Sequence, residues 1–220
     1  MYIIIVGAGK IGSSLIELAT GNDHDIVVIE KQEAVASEID RQFDCLVINA
    51  DATSRESLQE AGINEADAII TTTDADAVNL MVCMLGKEMN VPSIVSVIHD
   101  EGNLSMFREL GVNVMANPPN LIADHLYRAV QRPSIKDFMS LENGAEVFEI
   151  TVTDEAEING MSLMYAKEQG VLSEDTNVVC ISRSGELIVP DGGTQILSGD
   201  LVTILSLSGA DKETTRTFTG

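Results

Sequence analysis

The sequence has no tryptophan and few other aromatic residues, which make up 4% of its 220 residues, whereas hydrophobic residues make up 45%. A folded core must therefore be filled mainly by Ile, Val, Leu and Met. The chain also lacks any uninterrupted apolar stretch near the ~20 residues that a helix needs to span a bilayer. Its first apolar run leads directly into a glycine-rich turn, unlike a signal peptide. Both features predict a cytoplasmic protein.

Cysteine and histidine are also scarce. The three cysteines, Cys45, Cys83 and Cys180, are widely spaced and form no C-x-x-C pair. An odd number at such spacing argues against a disulfide framework and against a zinc site. The three histidines likewise lack the spacing of metal ligands. The sequence therefore predicts no bound metal, and each cysteine is expected to be a small buried apolar residue.

Basic residues are few compared with acidic ones. Thirteen Lys and Arg face thirty-five Asp and Glu, which gives a formal net charge of −22 at pH 7. Such a surface repels nucleic acid, so we expect no nucleic-acid partner. Two explanations of the charge remain, adaptation to high salt inside the cell and attraction of cations. We favour a halophilic source, because salt screens the self-repulsion of an acidic surface.

The N-terminal segment has the pattern of a nucleotide-binding turn. An apolar run of strand length ends in Gly7-Ala8-Gly9-Lys10-Ile11-Gly12, and a helical segment follows. In this G-x-G-x-x-G pattern, Gly7 permits a tight turn, Gly9 lets the backbone approach a pyrophosphate, and Gly12 lets helix and strand pack closely. Free N–H groups at the start of the helix then bind the phosphates. The pattern predicts a dinucleotide or adenine-nucleotide site.

The acidic partner of this motif is also present. A second β-rich run ends at Glu30, close to the usual distance from the glycine turn. Its carboxylate can accept hydrogen bonds from both ribose hydroxyls and would repel a 2′-phosphate. NAD(H) is therefore favoured over NADP, with ATP and ADP as further candidate ligands. Lys10 either neutralises a phosphate or remains a solvent-exposed side chain.

Residues 1–117 alternate apolar strands with amphipathic helices. The predicted strands are Tyr2–Val6, Asp25–Ile29, Cys45–Asn49, Ala68–Thr71, Ser93–Val97 and Asn113–Met115. The predicted helices are Ile11–Ala19, Lys31–Arg41, Ser54–Ala61, Ala75–Met89 and Leu104–Leu110. This alternation predicts an α/β fold, a Rossmann-like doubly wound parallel sheet with its ligand crevice at the carboxyl ends of the strands.

Two further runs follow predicted strands and should therefore lie at that crevice. They are Asp51-Ala52-Thr53, after the third strand, and Thr72-Thr73-Asp74, after the fourth. Asp51 can accept a hydrogen bond from an adenine amino group, or it can serve with Thr53 only to cap the next helix. The first threonine of the second run is expected near the ribose or phosphate. Asp74 is either a ligand contact or a helix cap.

The remaining sequence predicts a second, smaller domain. Residues 118–144 are interpreted as a crossover helix, predicted over Leu121–Val130, followed by a linker or a short extra element. The helix has an apolar stripe that nothing in a finished sheet would cover. Residues 145–210 are rich in strand patterns around one short helix, Leu163–Glu168, which predicts an α+β domain. Residues 211–220 are predicted to be a polar tail.

Short runs throughout the chain match the sequence pattern of one protein family. Besides the glycine turn and Asp51-Ala52-Thr53, they include Leu58-Gln59-Glu60-Ala61-Gly62-Ile63, Thr72-Thr73-Asp74-Ala75-Asp76-Ala77-Val78-Asn79-Leu80, Ile158-Asn159-Gly160-Met161-Ser162-Leu163, Val179-Cys180-Ile181-Ser182-Arg183-Ser184-Gly185, Val189-Pro190-Asp191-Gly192 and Ile196-Leu197-Ser198-Gly199-Asp200-Leu201-Val202. In these runs the chain resembles the TrkA-type proteins, cytoplasmic regulatory subunits of potassium uptake. The runs in the second half are more specific than the glycine motif, because ordinary dehydrogenases lack them.

The resemblance implies an N-terminal RCK domain (also called KTN) that binds NAD(H) or ATP/ADP, followed by an RCK C-terminal domain. It implies a gating subunit rather than an enzyme, acting on a membrane potassium-translocating subunit of the TrkH or KtrB type. It also implies self-association as a dimer or higher ring, through the crossover helix. The chain departs from the family where many relatives carry a basic residue near the end of the fifth strand, since it has Val97 there, followed by Ile98-His99.

Two other functions remain open on the sequence alone. One is an NAD-dependent oxidoreductase, and the other is a nucleotide sensor for another cation transporter. The oxidoreductase is disfavoured because the second domain is small for a substrate domain. The chain also has no Tyr-x-x-x-Lys pair, and no histidine and carboxylate arrangement for hydride transfer stands out.

Overall fold

A computed structural model gives the backbone of residues 1–220 and describes every side chain except those of Met115, Ala116 and Glu142. The chain divides into two units, Met1–Ala123 and Asp124–Gly220. The boundary falls within a helix, so one continuous element contributes residues to both units. Among the described residues, no helix has the length and apolar character needed to cross a membrane.

The first unit is built on a six-stranded parallel sheet. Its strands are β1 (Tyr2–Val6), β2 (Asp25–Glu30), β3 (Leu46–Asn49), β4 (Ala68–Thr71), β5 (Ser93–Ile98) and β6 (Asn113–Ala116). They lie in the order β3-β2-β1-β4-β5-β6, and every neighbouring pair is parallel. This is the strand order of the Rossmann fold, with its reversal between β1 and β4. The predicted doubly wound α/β fold is confirmed.

Helices cover both faces of this sheet. They are α1 (Lys10–Thr20), α2 (Glu33–Gln42), α3 (Arg55–Glu60), α4 (Asp76–Glu88) and α5 (Leu104–Glu109). Successive side chains of a strand point to opposite faces, so Ile4 packs in one apolar layer with Phe107 of α5, and Ile5 packs in the other with Ile16 of α1. The alternating side chains of β1 therefore contribute to both core layers.

The next helix, α6 (Pro118–Gln131), begins earlier than the sequence pattern predicts. The prediction starts it at Leu121, after the two prolines. Proline is tolerated in the first helical turn, where its missing N–H has no intrahelical acceptor to lose. The carbonyl oxygen of Asn117 accepts the N–H of Leu121 at 3.2 Å, which shows that the prolines lie inside the first turn.

The second unit is an antiparallel sheet with two short helices. Its strands are β7 (Ile135–Ser140), β8 (Glu146–Thr151), β9 (Thr176–Arg183), β10 (Glu186–Ile188) and β11 (Leu201–Ser206), and its helices are α7 (Leu163–Glu168) and α8 (Lys212–Thr219). The strand order is β10-β9-β11-β8-β7. Phe148, Ile181, Ile204 and Phe218 are fully buried in its core. The predicted α+β character of this region is confirmed.

Two segments of the second unit differ from the sequence-based expectation. Part of the expected linker forms β7, which pairs with β8, because Ile135 and Phe138 pack against the core of the unit. Most of the expected polar tail forms α8. Asp211 caps that helix by accepting the N–H of Thr214 at 2.7 Å, and Phe218 on the same face is fully buried. One or two apolar residues in a polar segment are too weak a pattern to predict either element.

Candidate nucleotide-binding site

The candidate site is a cavity of about 260 Å³ at the carboxyl edge of the parallel sheet. It lies where the strand order reverses between β1 and β4, the position at which open α/β sheets bind ligands. Eight of the predicted site residues line it, namely Gly7, Gly9, Glu30, Asp51, Ala52, Thr72, Thr73 and Asp74. Larger open cavities of about 550 and 760 Å³ occur in the second unit, so position in the fold, and not size, distinguishes this site.

The three glycines of the turn have different surroundings. Gly7 has a φ of +90°, a conformation that other residues rarely adopt. A Cβ on Gly12 would lie 2.1 Å from the carbonyl oxygen of Gly7, so α1 can approach the turn this closely only with glycine there. A Cβ on Gly9 would meet nothing within 4 Å. The space beside Gly9 is therefore open to a ligand.

Helix α1 begins without a cap. Gly9 occupies the N-cap position, and no described side chain accepts a hydrogen bond from the first N–H groups of α1. The first turn of the helix contains no acidic residue. The first N–H groups of a helix lack intrahelical acceptors, and the helix dipole places partial positive charge at the same end. An anion such as a phosphate can accept hydrogen bonds from these N–H groups and is attracted by the positive charge. The start of α1 therefore has the properties of a phosphate site.

The other residues of the glycine turn lie outside the cavity lining. Lys10 and Ile11 are exposed on the first turn of α1, while Ala8 is buried. The backbone N–H of Ala8 donates to Oε2 of Glu30 at 2.8 Å. These residues thus contribute backbone geometry to the turn. The phosphate contact of the Lys10 side chain stays a prediction.

Glu30 joins the end of β2 to the glycine turn. It is 8% exposed and lines the cavity. Its Oε2 accepts the N–H of Ala8 at 2.8 Å, and its Oε1 accepts the N–H of Gln32 at 2.7 Å. A carboxylate oxygen can accept more than one hydrogen bond, so these contacts leave acceptor capacity for ribose hydroxyls. They also fix the carboxylate in place before any ligand arrives.

Asp51 follows β3, the neighbour of β2, and is already paired. Its Oδ2 accepts the ammonium of Lys31 at 2.8 Å, and its Oδ1 accepts the hydroxyl and the N–H of Thr53 at 2.7 and 3.0 Å. The hydrogen bond from Lys31, followed by those from Thr53, lowers the pKa of Asp51 well below its ordinary value. Thr53 does not cap α3 as predicted. Ser54 is the N-cap, because its own Oγ accepts the N–H of Ser57.

The loop after β4 packs against the glycine turn. The hydroxyl of Thr72 is buried and donates to the carbonyl oxygen of Gly7 at 2.8 Å. Thr72 therefore holds the turn in place. Asp74 lines the cavity, but the N-cap of α4 is Ala75, and no described side chain caps that helix. The prediction that Asp74 caps the helix is wrong, whereas its role as a ligand contact stays a prediction.

The segment that departs from the family pattern lies next to this loop. Nε2 of His99 lies 3.3 Å from the carbonyl oxygen of Thr73. The carboxylate of Asp76, in the first turn of α4, accepts the N–H groups of His99 and Asp100 at 2.8 and 2.9 Å. Burial raises the pKa of Asp76, but these N–H groups, with the side-chain amide of Asn103, outweigh it and lower the pKa overall. The end of β5 is thereby tied to α4.

Comparison with known proteins agrees with this architecture. The TrkA-N domain family matches residues 3–118, more than half of the chain. The chain is also 30% identical over 223 residues to a Trk system potassium uptake protein TrkA homolog from Methanothermobacter thermautotrophicus, and the match covers 100% of both proteins. The chain belongs to the TrkA family. Several longer TrkA proteins match this TrkA-family chain over about half of their own length, such as 47% for that of Azorhizobium caulinodans.

Solved structures share the fold of this TrkA-family chain. The GsuK RCK domain and a GsuK channel bound to NAD align with 99% of the chain, at TM-scores of 0.62 and 0.63 and 18% identity, over 46% and 38% of their own lengths. A GsuK structure bound to ADP is 25% identical over 60% of the chain and 34% of its own length, with a TM-score of 0.52. The predicted succession of RCK-type domains is thus confirmed as a fold.

Some residues of the TrkA-family site were missed from the sequence. Lys31 and Gln32 line the cavity directly after Glu30, and their position beside the acidic residue was a signal that could have identified them. Asn79 was missed although it lies just behind the loop after β4. It is fully buried in α4 on the same face as Val82 and Cys83. A polar residue at a core position of an amphipathic helix is the signal that could have identified it.

Proposed function

We propose that this chain is a nucleotide-sensing regulatory subunit of a Trk/Ktr-type potassium transport system. It binds NAD(H) or ATP/ADP and controls potassium flux through a membrane partner. The observation that carries the proposal is the uncapped start of α1 opening on a cavity that Glu30 also lines. The full-length match to a protein named for potassium uptake, and GsuK structures bound to NAD and ADP, support the same function.

The geometry supports one orientation of the ligand. The pyrophosphate lies at the first N–H groups of α1, beside the open space at Gly9. The adenosine ribose lies at Glu30, and the adenine extends toward the Lys31–Asp51 pair. A buried carboxylate at Glu30 disfavours a 2′-phosphate, because the two negative charges would share a poorly solvated space. NAD(H) is therefore preferred to NADP(H).

Regulation then requires no chemical step. A nucleotide that binds two conformations with different affinities shifts the equilibrium between them. A tenfold difference in affinity supplies about 1.4 kcal/mol per site, whereas a nearly complete switch needs about 5.5 kcal/mol. Several coupled sites are thus needed, which is why self-association as a dimer or higher ring belongs to the proposal. The membrane partner is a potassium-translocating subunit of the TrkH or KtrB type, bound at the inner face of the membrane.

The first test is calorimetric titration of the purified protein with NAD, NADH, ATP and ADP in high potassium salt. The matched variants are Gly9→Asp and Gly9→Asn. Gly9 has the extended φ and ψ of an N-cap, −64° and −168°, so both new side chains can cap α1. We expect both to weaken binding, and the charged Asp to weaken it at least about tenfold more, because its carboxylate occupies the phosphate position.

Three results would count against the proposal. Absence of binding of all four nucleotides would remove the role of the first unit. Consumption of NADH in the presence of 2-keto acids would favour an oxidoreductase. Co-purification with a transporter of another cation, and not with a potassium-translocating subunit, would keep the nucleotide sensor but change the system that it regulates.

A further inference from the structure

A buried polar network behind the cavity is centred on Asn79 in α4. This residue is 0% exposed and lies on the helix face that packs into the core of the first unit, beside Val82 and Cys83. A buried amide is costly unless all of its donors and acceptors are paired. The partners of Asn79 therefore indicate why an amide lies at this apolar position.

All four hydrogen bonds of the amide are formed. Its Oδ1 accepts the N–H and the hydroxyl of Thr73 at 3.2 and 2.7 Å. Its Nδ2 donates to the carbonyl oxygen of Thr73 at 2.9 Å and to that of Val97 at 3.1 Å. The N–H of Thr73 requires an oxygen and the carbonyl of Val97 requires an NH₂ group, so these partners fix the orientation of the amide. Three of the four bonds hold Thr73.

Thr73 in turn touches the glycine turn. It lines the cavity, and its Cγ2 lies 2.9 Å from where a Cβ on Gly7 would stand. Moving Thr73 would therefore move the wall of the cavity next to the phosphate position. The bond from Asn79 to Val97 adds a second anchor, at the end of β5. The amide thus fixes the loop after β4 relative to β5.

We infer that Asn79 is a positioning residue that builds the half of the site that takes the part of a dinucleotide beyond the pyrophosphate. The inference rests on the proposed nucleotide-binding function. In a Rossmann fold the acidic residue after β2 binds the adenosine ribose, and the second mononucleotide half lies across the switch point, toward β4 and β5. The network of Asn79 serves β4 and β5, whereas Glu30 serves β2 and the glycine turn.

This division gives Asn79 an effect that depends on the ligand. AMP has only the adenylate half, which depends on Glu30 and the start of α1. NAD has both halves, so it also needs the loop that Asn79 holds. Leaving the buried groups of Thr73 and Val97 without partners frees this loop to move. Loss of Asn79 should therefore weaken NAD binding more than AMP binding.

The test compares NAD and AMP affinities of wild type, Asn79→Ala, Asn79→Asp and Cys83→Ala by titration calorimetry, with thermal melting of each. Cys83 is also 0% exposed in α4, one turn further on, so Cys83→Ala controls for general loss of packing. We expect Asn79→Ala to weaken NAD about tenfold or more and AMP within about twofold. Asn79→Asp keeps the acceptor bonds to Thr73 but turns a carboxylate oxygen toward the carbonyl oxygens of Thr73 and Val97, so it should weaken NAD at least as much as Asn79→Ala. Cys83→Ala should change neither affinity more than about twofold.

Several outcomes would overturn the inference. One is an equal loss of NAD and AMP affinity in Asn79→Ala. Another is wild-type affinity for NAD in a folded Asn79 variant. If Asn79→Ala does not fold, the ratio of NAD to AMP affinity in Asn79→Asp decides, and a ratio equal to that of the wild type rejects the inference. Failure of the wild type itself to bind either nucleotide would reject the proposed function, a different result from these.

Discussion

Gly9 and Gly12 belong to one short motif, yet opposite physical conditions require them. Gly12 is needed because the carbonyl oxygen of Gly7 would stand 2.1 Å from its Cβ. At Gly9 a Cβ would project into open space, so only an incoming ligand makes its small size useful. Glycine at residue 12 is thus a requirement of folding, whereas glycine at residue 9 is a requirement of the proposed nucleotide binding only. Mutation can separate them.

Gly12→Ala should destabilise the fold more than Gly9→Ala does. The added methyl at residue 12 meets backbone atoms that cannot rotate away, and overpacking of this kind costs about 1–3 kcal/mol. At residue 9 the methyl meets nothing, so the only cost expected is that of alanine in place of glycine at an N-cap, about 0.5–1 kcal/mol. Chemical denaturation of both variants measures this difference, and equal stabilities would contradict it.

Glu30→Gln should reduce the preference for NAD over NADP. The amide lacks the charge that repels a 2′-phosphate, and its single oxygen can no longer accept both the Ala8 and the Gln32 N–H groups. We therefore also expect a loss of stability of about 1–2 kcal/mol. Titration with both dinucleotides gives the selectivity. Asp74→Asn, which removes a carboxylate elsewhere on the cavity wall, should leave the ratio unchanged.

At the scale of single residues, the sequence correctly predicted the steric roles of glycines but not which residue caps a helix. The steric roles of Gly7 and Gly12 follow from spacing alone and agree with the structure. The cap of α3 fell one residue away from the predicted Thr53, at Ser54. Adjacent polar residues are equally able to cap, and the backbone conformation of a single residue decides between them. A sequence pattern does not resolve that difference.

In the second unit, the carboxylate of Glu146 in β8 contacts two other parts of the chain, the end of α6 and the segment before α8. Glu146, at the start of β8, has a side chain that is 7% exposed and pairs with Arg128 in the last turn of α6 and with Arg132 directly after it. Its Oε2 also accepts the N–H of Ala210, just before α8, at 2.8 Å. The guanidinium of Arg128 lies 5.1 Å from the centre of the Phe138 ring in β7. These contacts attach the last turn of α6 to the sheet.

Glu146→Gln should remove stability that depends on pH. Burial raises the pKa of Glu146, but the Ala210 N–H and the two arginines outweigh it, so the pKa lies below its ordinary value of 4.5. A depressed pKa gives stability that is present above the ordinary value and is lost as pH falls through the folded-state value. We expect the wild type to exceed the variant by about 1–3 kcal/mol at pH 7, with the difference shrinking below pH 4.5.

Denaturation of both proteins across this pH range measures the effect. The control is Asp124→Asn, which removes the other carboxylate that contacts Arg128. The side chain of Asp124 is 53% exposed, so its loss should cost less than about 1 kcal/mol. A stability difference between wild type and Glu146→Gln that does not change with pH would contradict the assignment.

Elements with a repeated apolar pattern were predictable, and those with one or two apolar residues were not. The central strands β1 and β4 agree with prediction residue for residue. In contrast, β7 and α8 depend on contacts that form only when Phe138 and Phe218 meet a core assembled from distant segments. Such burial is a property of tertiary structure. Neither the hydrophobic periodicity nor the composition of the segment itself therefore indicates that it will be buried.

At the scale of the whole molecule the net charge of −22 is the dominant property. The expected halophilic origin stays a prediction, and so does the alternative of cation attraction. The two differ in what salt should do. Screening depends on ionic strength, since the Debye length falls from about 10 Å at 0.1 M to about 3 Å at 1 M salt. Cation binding depends on the identity of the ion.

We therefore predict that the free energy of unfolding rises between 0.1 and about 1 M salt, equally in potassium, sodium and tetramethylammonium chloride, because screening relieves the same repulsion in each. Urea denaturation at matched ionic strength measures it. Stabilisation by potassium alone would favour cation binding. Stability that does not depend on salt would contradict both explanations.

The uncapped N-terminus of α1 makes the stability of this helix depend on the concentration of the proposed nucleotide ligand. Helices α3 and α8 carry their own caps, whereas α1, like α4, has none. Under the proposed function, a bound nucleotide supplies the cap of α1. A nucleotide at a hundred times its dissociation constant adds about 2.7 kcal/mol to the folded state. Amide exchange in the first turn of α1 should therefore slow as nucleotide accumulates, so that metabolite concentration is recorded directly in the local stability of one helix.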